Sequence, residues 1–284
     1  MMTLLPEVSR AAISYSTLGS LYSENFNSLP VNAPSNGNVQ TSAYTNGWQD
    51  DSGTVAGDHF GVPGWYLYHP IAVAAEGGTS QHQRVRFGPG ANTGSFWVFS
   101  STAADTEKAL GNVGSLTVAG DNANLYTALR LTNNTGVPLT SFTLTFDGEQ
   151  WRDGQLATGE TLNFGYSTTA TASDWFDAGA FISVPTLSFT APAASGTGTT
   201  GTAINGNVAG LVSDITGTVS GIDWQPGTDL WLRWADAQLA GNADDGLAID
   251  NVRFTAVPEP SALLLLAGAA AGLLSRRRVR VPAI

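Results

Sequence analysis

From Leu21 to Ala256 apolar and polar positions alternate in short runs that stop at clusters of Gly, Asn, Asp and Pro. Leu125 to Leu131 alternates until Asn133-Asn134-Thr135-Gly136-Val137-Pro138 ends it. Ser141 to Phe146 then places Phe142, Leu144 and Phe146 on one face, and Asp147-Gly148 closes the run. A period of two with one apolar face predicts half-buried strands, and this pair around a turn cluster predicts a hairpin. Leu162 to Ser167, Leu187 to Thr190, Leu230 to Trp234 and Leu247 to Phe254 repeat the pattern, as do Arg84 to Phe87 and Ser95 to Phe99. Thr106 to Leu110 has room for a single helical turn. Many strands, each with an apolar face to cover, need two sheets packed together, which predicts a β-sandwich.

Ala191 to Gly206 is rich in Gly, Thr and Ser and offers too little apolar surface to pack, so it is expected to be a flexible loop. Its Gly196-Thr197-Gly198-Thr199-Thr200-Gly201 matches a dinucleotide fingerprint by letters only. The phosphate-binding form needs a strand before the glycines and a helix after them, and Thr202 to Gly206 cannot open one.

The pattern changes at the C-terminal end. Val257-Pro258-Glu259-Pro260-Ser261 precedes an uncharged run from Ala262 to Leu274, and Ser275-Arg276-Arg277-Arg278-Val279-Arg280 follows. Pro260 suits the first turn of a helix, where its missing N–H would have no partner. A helix from Ser261 to Ser275 rises roughly 22 Å against a hydrocarbon core of about 30 Å. That is short for a span, but arginines can snorkel and a bilayer can thin locally. Ala262, Leu263, Leu264, Leu265, Leu266, Leu273 and Leu274 would anchor the chain. Arg276, Arg277, Arg278 and Arg280 would stop transfer on the cytoplasmic side, leaving the body outside. Four arginines directly behind the run argue against a helix buried in the domain, since ionised groups in a core need partners.

Pro258-Glu259-Pro260, then an apolar segment, then an arginine cluster resembles the PEP-CTERM sorting signal of exported bacterial proteins. The resemblance implies export, transient tethering to the membrane, and processing near Pro258-Glu259-Pro260 by an exosortase-like transpeptidase. Through Glu24 to Pro30, Phe146 to Arg152, Leu232-Arg233-Trp234 and Asp244 to Val252 the body resembles the bodies of exported proteins that carry this tail, which look like jelly rolls of the concanavalin or laminin-G kind. The expected fold class is therefore all-β: a jelly-roll-like antiparallel β-sandwich with a C-terminal hydrophobic helix. Its parts are residues 1–20 as an N-terminal segment, 21–256 as the sandwich and 257–284 as the sorting tail. Export also demands a leader. Met1 to Tyr22 holds Arg10 but no apolar run long enough, since Pro6 cuts off Leu4-Leu5, so the expectation is a start codon upstream.

The formal net charge is −11; setting aside the four tail arginines leaves eight basic against 23 acidic residues, −15 for the rest of the chain. Such a body repels nucleic acid and anionic membranes, so neither is an expected partner of it. With no cysteine there is no disulfide framework, thiol nucleophile or thiolate metal site. His59, His69 and His82 lack metal-ligand spacing, and no G-x-S-x-G elbow exists.

Two groups of residues invite chemistry. Glu149, Trp151, Arg152 and Arg233 suit a sugar-binding face, where rings stack and charged groups bond hydroxyls. A structural role is the favoured reading of the same residues, with Glu149 paired to Arg152 or Arg233 and Trp151, Trp231 and Trp234 as core aromatics. Asp147, Glu149 and Asp153 are near one another, but glycosidases on this scaffold place two glutamates around an aspartate on one strand, and this stretch has only one glutamate. Asp236, Asp244, Asp245 and Asp250 are the densest acidic patch and the candidate calcium ligands; turn chemistry also accounts for Asp245-Gly246. The expected protein is non-enzymatic and held at the cell surface or in the extracellular matrix. A carbohydrate-binding, lectin-like module facing extracellular polysaccharide is the alternative, and a glycosidase a third reading.

Overall fold

The computed structural model describes residues 12–29, 38–40, 48–50, 62–68, 84–89, 94–102, 105–116, 123–172, 174–177, 179, 181–196, 200–238 and 243–258. His59, His69, His82, Glu259, Pro260, the apolar run and the arginine cluster lie outside them. No helix among the described residues is long and apolar enough to cross a membrane.

The strands are β1 Ile13–Tyr15, β2 Tyr22–Glu24, β3 Asn38–Gln40, β4 Trp48–Asp50, β5 Trp65–Tyr68, β6 Arg84–Gly88, β7 Ser95–Phe99, β8 Ala109–Val113 and β9 Asn124–Asn133. They continue as β10 Leu139–Asp153, β11 Thr161–Ser167, β12 Ile182–Ser183, β13 Phe189–Thr190, β14 Thr202–Ala203, β15 Leu211–Trp224, β16 Asp229–Ala237 and β17 Gly246–Val257. One sheet runs β12-β11-β16-β9-β5-β4, with β1 on β9 and β13 on β11. The other runs β14-β10-β17-β8-β7-β6-β3, with β15 on β10 and β2 on β17. Pairing is antiparallel except at β1 with β9 and β6 with β7. The fold is the expected all-β sandwich.

The core between the sheets is built from the alternating residues. Leu129 and Leu131 of β9 meet Phe142, Leu144 and Phe146 of β10 together with Leu230, Leu232 and Trp234 of β16. Trp234 stacks on Trp65 at 5.7 Å and meets Phe146 and Phe164 at 5.5 and 5.2 Å. Such offset and edge contacts add roughly 0.5–1.5 kcal/mol per pair beyond area burial.

Several expectations are corrected. β9 and β10 do not form a hairpin, because they belong to different sheets and the turn between them crosses the sandwich. Buried Asn133 fixes that crossing, donating through Nδ2 to Val137 O and Trp224 O, both at 2.9 Å. Thr106 to Leu110 makes no helical turn; it leads into β8. β1 lies in the first sheet, although the sequence boundary leaves it before the domain. The segment from Ala191 to Gly206 is not a free loop where it is described. Ala193 exchanges hydrogen bonds with Gln150, and Thr202 and Ala203 pair with Asp153 and Arg152. A Cβ on Gly206 would sit 2.3 Å from Trp151 Nε1, so only glycine lets this stretch lie on the indole.

Tyr15 ties the start of the sandwich to its last strand. Its hydroxyl accepts from Ala256 N–H at 2.8 Å and donates to Ser20 O at 2.9 Å. The chain therefore leaves the sheet for Pro258 from a fixed point.

Candidate functional site

Period two along β10 turns Phe142, Leu144 and Phe146 inward and Thr143, Thr145, Asp147, Glu149 and Trp151 outward. On β17 the register slips by one residue between Thr145 and Asp147 of its partner, and on β15 between Phe146 and Gly148. The extra residues are accommodated at Asp214 and Asn251, whose φ angles of 54° and 49° fall in the left-handed region. Asp147 holds both bulges: Asp214 N–H donates to its Oδ1 at 2.7 Å and Asn251 Nδ2 to its Oδ2 at 2.9 Å. A residue weighed as a catalytic acid thus pins two strand irregularities. After the slip Val252, Phe254 and Ala256 face the core as Leu247 and Ile249 do before it.

An open polar groove runs along this outer face. A cleft of 700 Å³ bordered by Glu24, Asn25, Asp147 and Asn251 adjoins one of 390 Å³ over Thr143, Thr145 and Thr216, and both are edged by Asp214 and Arg253. Threonine hydroxyls bridge β10 and β15 in two rungs, Thr143 to Thr218 at 2.8 Å and Thr145 to Thr216 at 2.7 Å. Arg253 pairs with Asp214 across the groove.

The four residues first grouped as a sugar-binding face do not share one. Trp151 is on the outer face of the second sheet, stacked on Phe99 at 5.7 Å, with Phe99 stacked on Trp97 at the same distance. Arg152, the next residue, points the other way. Arg233 is on the outer face of the first sheet, with its guanidinium over Phe181 at 3.6 Å and Tyr126 at 4.3 Å, donating to Trp175 O and Asp177 O. Burial pulls its pKa down to about 10. Trp231, beside it, stacks on Trp175 at 5.6 Å, while Trp234 is in the core. These rings and the Arg233 guanidinium are packed against other rings of the chain itself. Glu149 pairs with neither arginine; its Oε2 accepts from Trp151 Nε1 at 2.7 Å.

The four candidate calcium ligands also divide. Asp236, Asp244 and Asp245 gather with Glu160 at the inner end of β10, around Arg152. Arg152 donates to Asp244 O, and Asp245 accepts from Gly154 N–H at 2.6 Å and Glu160 N–H at 2.9 Å. Burial, then Asp236 and Asp244, push Glu160 up to about 11; burial, then Asp244 and Asp245, hold Asp236 well above the ordinary range. A guanidinium already supplies the cation this group needs, although burial pulls its own pKa down.

Asp250 joins a different set. On the outer face, oxygens of Glu107, Glu149 and Asp250 all lie within 4.8 Å of one another. Glu149 is 2 % and Asp250 1 % exposed. Burial, then Glu107, push Glu149 up to about 8; burial, then a hydrogen bond with Glu107, push Asp250 up to about 9. Glu107 was missed because it sits in the stretch read as a helical turn. Reading Ala109 to Val113 as a strand would have placed it at that strand's mouth.

No curated protein matches the chain. Among solved structures, the K1 cleaved adhesin domain of Lys-gingipain from Porphyromonas gingivalis is similar at 17% identity, over 84% of this chain and 99% of that one, with a TM-score of 0.34. A xylan-binding domain from Paenibacillus barcinonensis is similar at 10% identity, over 86% and 99% of the two chains, also with a TM-score of 0.34. Residues 256–278 match the PEP-CTERM protein-sorting motif, beginning at the Ala256 that Tyr15 holds to the sheet. That tail marks the chain as an exported protein, anchored at its C terminus and destined for the cell surface or the extracellular space.

Proposed function

We propose that the protein is a non-catalytic surface or matrix component whose tail is cut near Pro258-Glu259-Pro260 by an exosortase-like transpeptidase, and whose sandwich holds a neutral extracellular polysaccharide. The observation carrying the binding reading is the outer-face groove. Threonine hydroxyls, the Asn251 amide and the Arg253–Asp214 pair line it, and such groups bond sugar hydroxyls. Glu24, Asp147 and Asp214 make it acidic, which disfavours an anionic polymer. From Thr143 to Asp147 it spans roughly 14 Å of strand, enough to take several sugar units in a row. Against catalysis, the acids with raised pKa on this face are almost wholly buried, and a general acid must touch the oxygen it protonates.

Titration calorimetry against a panel of neutral and acidic polysaccharides tests the groove. Heat is expected with one or more neutral polymers, and Arg253→Ala should weaken that binding on the order of tenfold, the equivalent of one charged hydrogen bond. Silence across the panel removes the sugar and leaves a purely structural component; release of reducing ends overturns the non-catalytic reading. The tail is tested separately. Deleting residues 261–284 should move the protein from the membrane fraction to the soluble fraction, and unchanged fractionation refutes the anchor.

A further inference from the structure

We infer that Glu107, Glu149 and Asp250 are the ligands of a hard divalent cation, calcium in an extracellular setting, buried on the outer face of the second sheet. This is independent of the sugar-binding groove. Three carboxylates reach the same point from three parts of the chain: the segment before β8, the middle of β10, and β17. Their oxygens lie within 4.8 Å of one another, the spacing expected of neighbouring ligands around one cation with bond lengths of about 2.3–2.6 Å.

The second observation is what these oxygens lack. Glu107 Oε2 and Asp250 Oδ1 are buried and no donor group among the described residues reaches them; the hydrogen bond that links the two carboxyls exists only while one of them holds a proton, and Asp250 is 1 % exposed. Folded proteins satisfy nearly all such atoms, so two orphans at one point indicate a missing partner. Among the side chains described, the nearby cations are committed elsewhere. Lys108 sends Nζ to Asn27 O at 2.8 Å, Arg253 pairs with Asp214, and Arg152 is on the opposite face with Asp244. Trp151 donates to Glu149 Oε2, which orients that carboxylate but adds no charge.

An all-oxygen donor set selects calcium, magnesium or manganese over softer metals. Magnesium demands near-ideal octahedral geometry; calcium accepts irregular and bidentate carboxylates, as three acids converging from separate parts of the chain would supply. A bound ion would lock β10, β17 and the approach to β8 together beside the bulges that Asp147 holds.

The test uses the full chain in mild detergent, stripped with a chelator and titrated with terbium under tryptophan excitation. Trp151 Nε1 is 2.7 Å from Oε2 of the Glu149 carboxylate, so bound terbium should emit, and calcium should quench that emission competitively. The calcium Kd is expected at or below ~10⁻³ M, the range of extracellular modules. Asp250→Asn and, at a half-buried position, Glu107→Gln should each weaken binding on the order of tenfold or more. Both should also raise the unfolding temperature of the metal-free protein by removing a carboxyl crowded against two others in a buried site, which separates lost binding from lost folding. Asp236→Asn, in the Arg152 group, should leave calcium affinity unchanged. Absence of saturable binding at ~10 mM calcium, or loss through Asp236→Asn with Asp250→Asn unaffected, overturns the assignment.

Discussion

Without calcium, the protein should become less stable as the pH rises from about 5 to about 9, the reverse of ordinary acid denaturation. Glu149 is pushed up to about 8, Asp250 to about 9 and Glu160 to about 11, while Asp236 and Asp245 are raised by burial. In the unfolded chain carboxyls titrate near 4. Below that value both states carry the protons and these groups cost nothing. Above it the unfolded chain loses them while the fold retains them, so stability falls by about 1.4 kcal/mol per pH unit for each extra proton held. The loss ends near pH 8 for Glu149 and near 9 for Asp250, where the folded groups also ionise. Facing charges act in the opposite sense only at one cluster. Arg152 favours ionised Asp244, Asp245 and Glu160, whereas the causes acting on Glu149 and Asp250 include no cation. Saturating calcium should remove the Glu149 and Asp250 part of the slope and leave the Glu160 and Asp236 part. Thermal unfolding across this range, with chelator and with calcium, reads the effect directly; a midpoint that climbs toward neutral pH in chelator contradicts it.

How much of this was legible depends on what alternation encodes. Phe142, Leu144 and Phe146, or Leu230, Leu232 and Trp234, announce their strands because one face is core and the other is not. Alternation does not say which sheet a strand joins. β9 and β10 therefore looked like a hairpin, and only the Asn133 bonds show the crossing. β15 escaped notice because it is an edge strand. Its Thr216 and Thr218 face the groove, most of its length is exposed, and its apolar face of Ile215, Val219, Ile222 and Trp224 is broken at Gly217 and Gly221, so no unbroken alternation advertises it. The same period could have corrected the site. Trp151 and Arg152 are adjacent and must point to opposite faces, as must Trp231 and Trp234. Residues grouped by nearness in sequence were separated by geometry, and Asp250 left the acids it resembles for Glu107, a residue 143 positions away. The sorting tail was legible as a series of three chemical devices in order, which needs no fold to be recognised.

Arg152→Met should cost about 3–5 kcal/mol at neutral pH, the penalty for breaking a buried ionic group on one side. Methionine keeps much of the apolar stem but takes away the guanidinium that Asp244, Asp245, Glu160 and Asp153 surround. It also removes the surface on which the segment at Gly201 lies, where a Cβ would sit 2.2 Å from Arg152 Cζ. Those of the surrounding acids whose charge balances the guanidinium must then either stay ionised in a low-dielectric site or take up protons, and both are costly near pH 7. As the pH falls through about 4 the unfolded carboxyls take up protons that Glu160 and Asp245, raised chiefly by burial, already hold in the fold, so the penalty should shrink toward the packing loss alone. Adding Asp244→Asn should recover part of the loss at neutral pH by removing one of the stranded charges, a coupling that a double-mutant cycle in urea measures. A penalty that stays the same from pH 4 to pH 7, or that Asp244→Asn merely adds to, would mean that Arg152 holds this end of the sandwich by shape and not by charge.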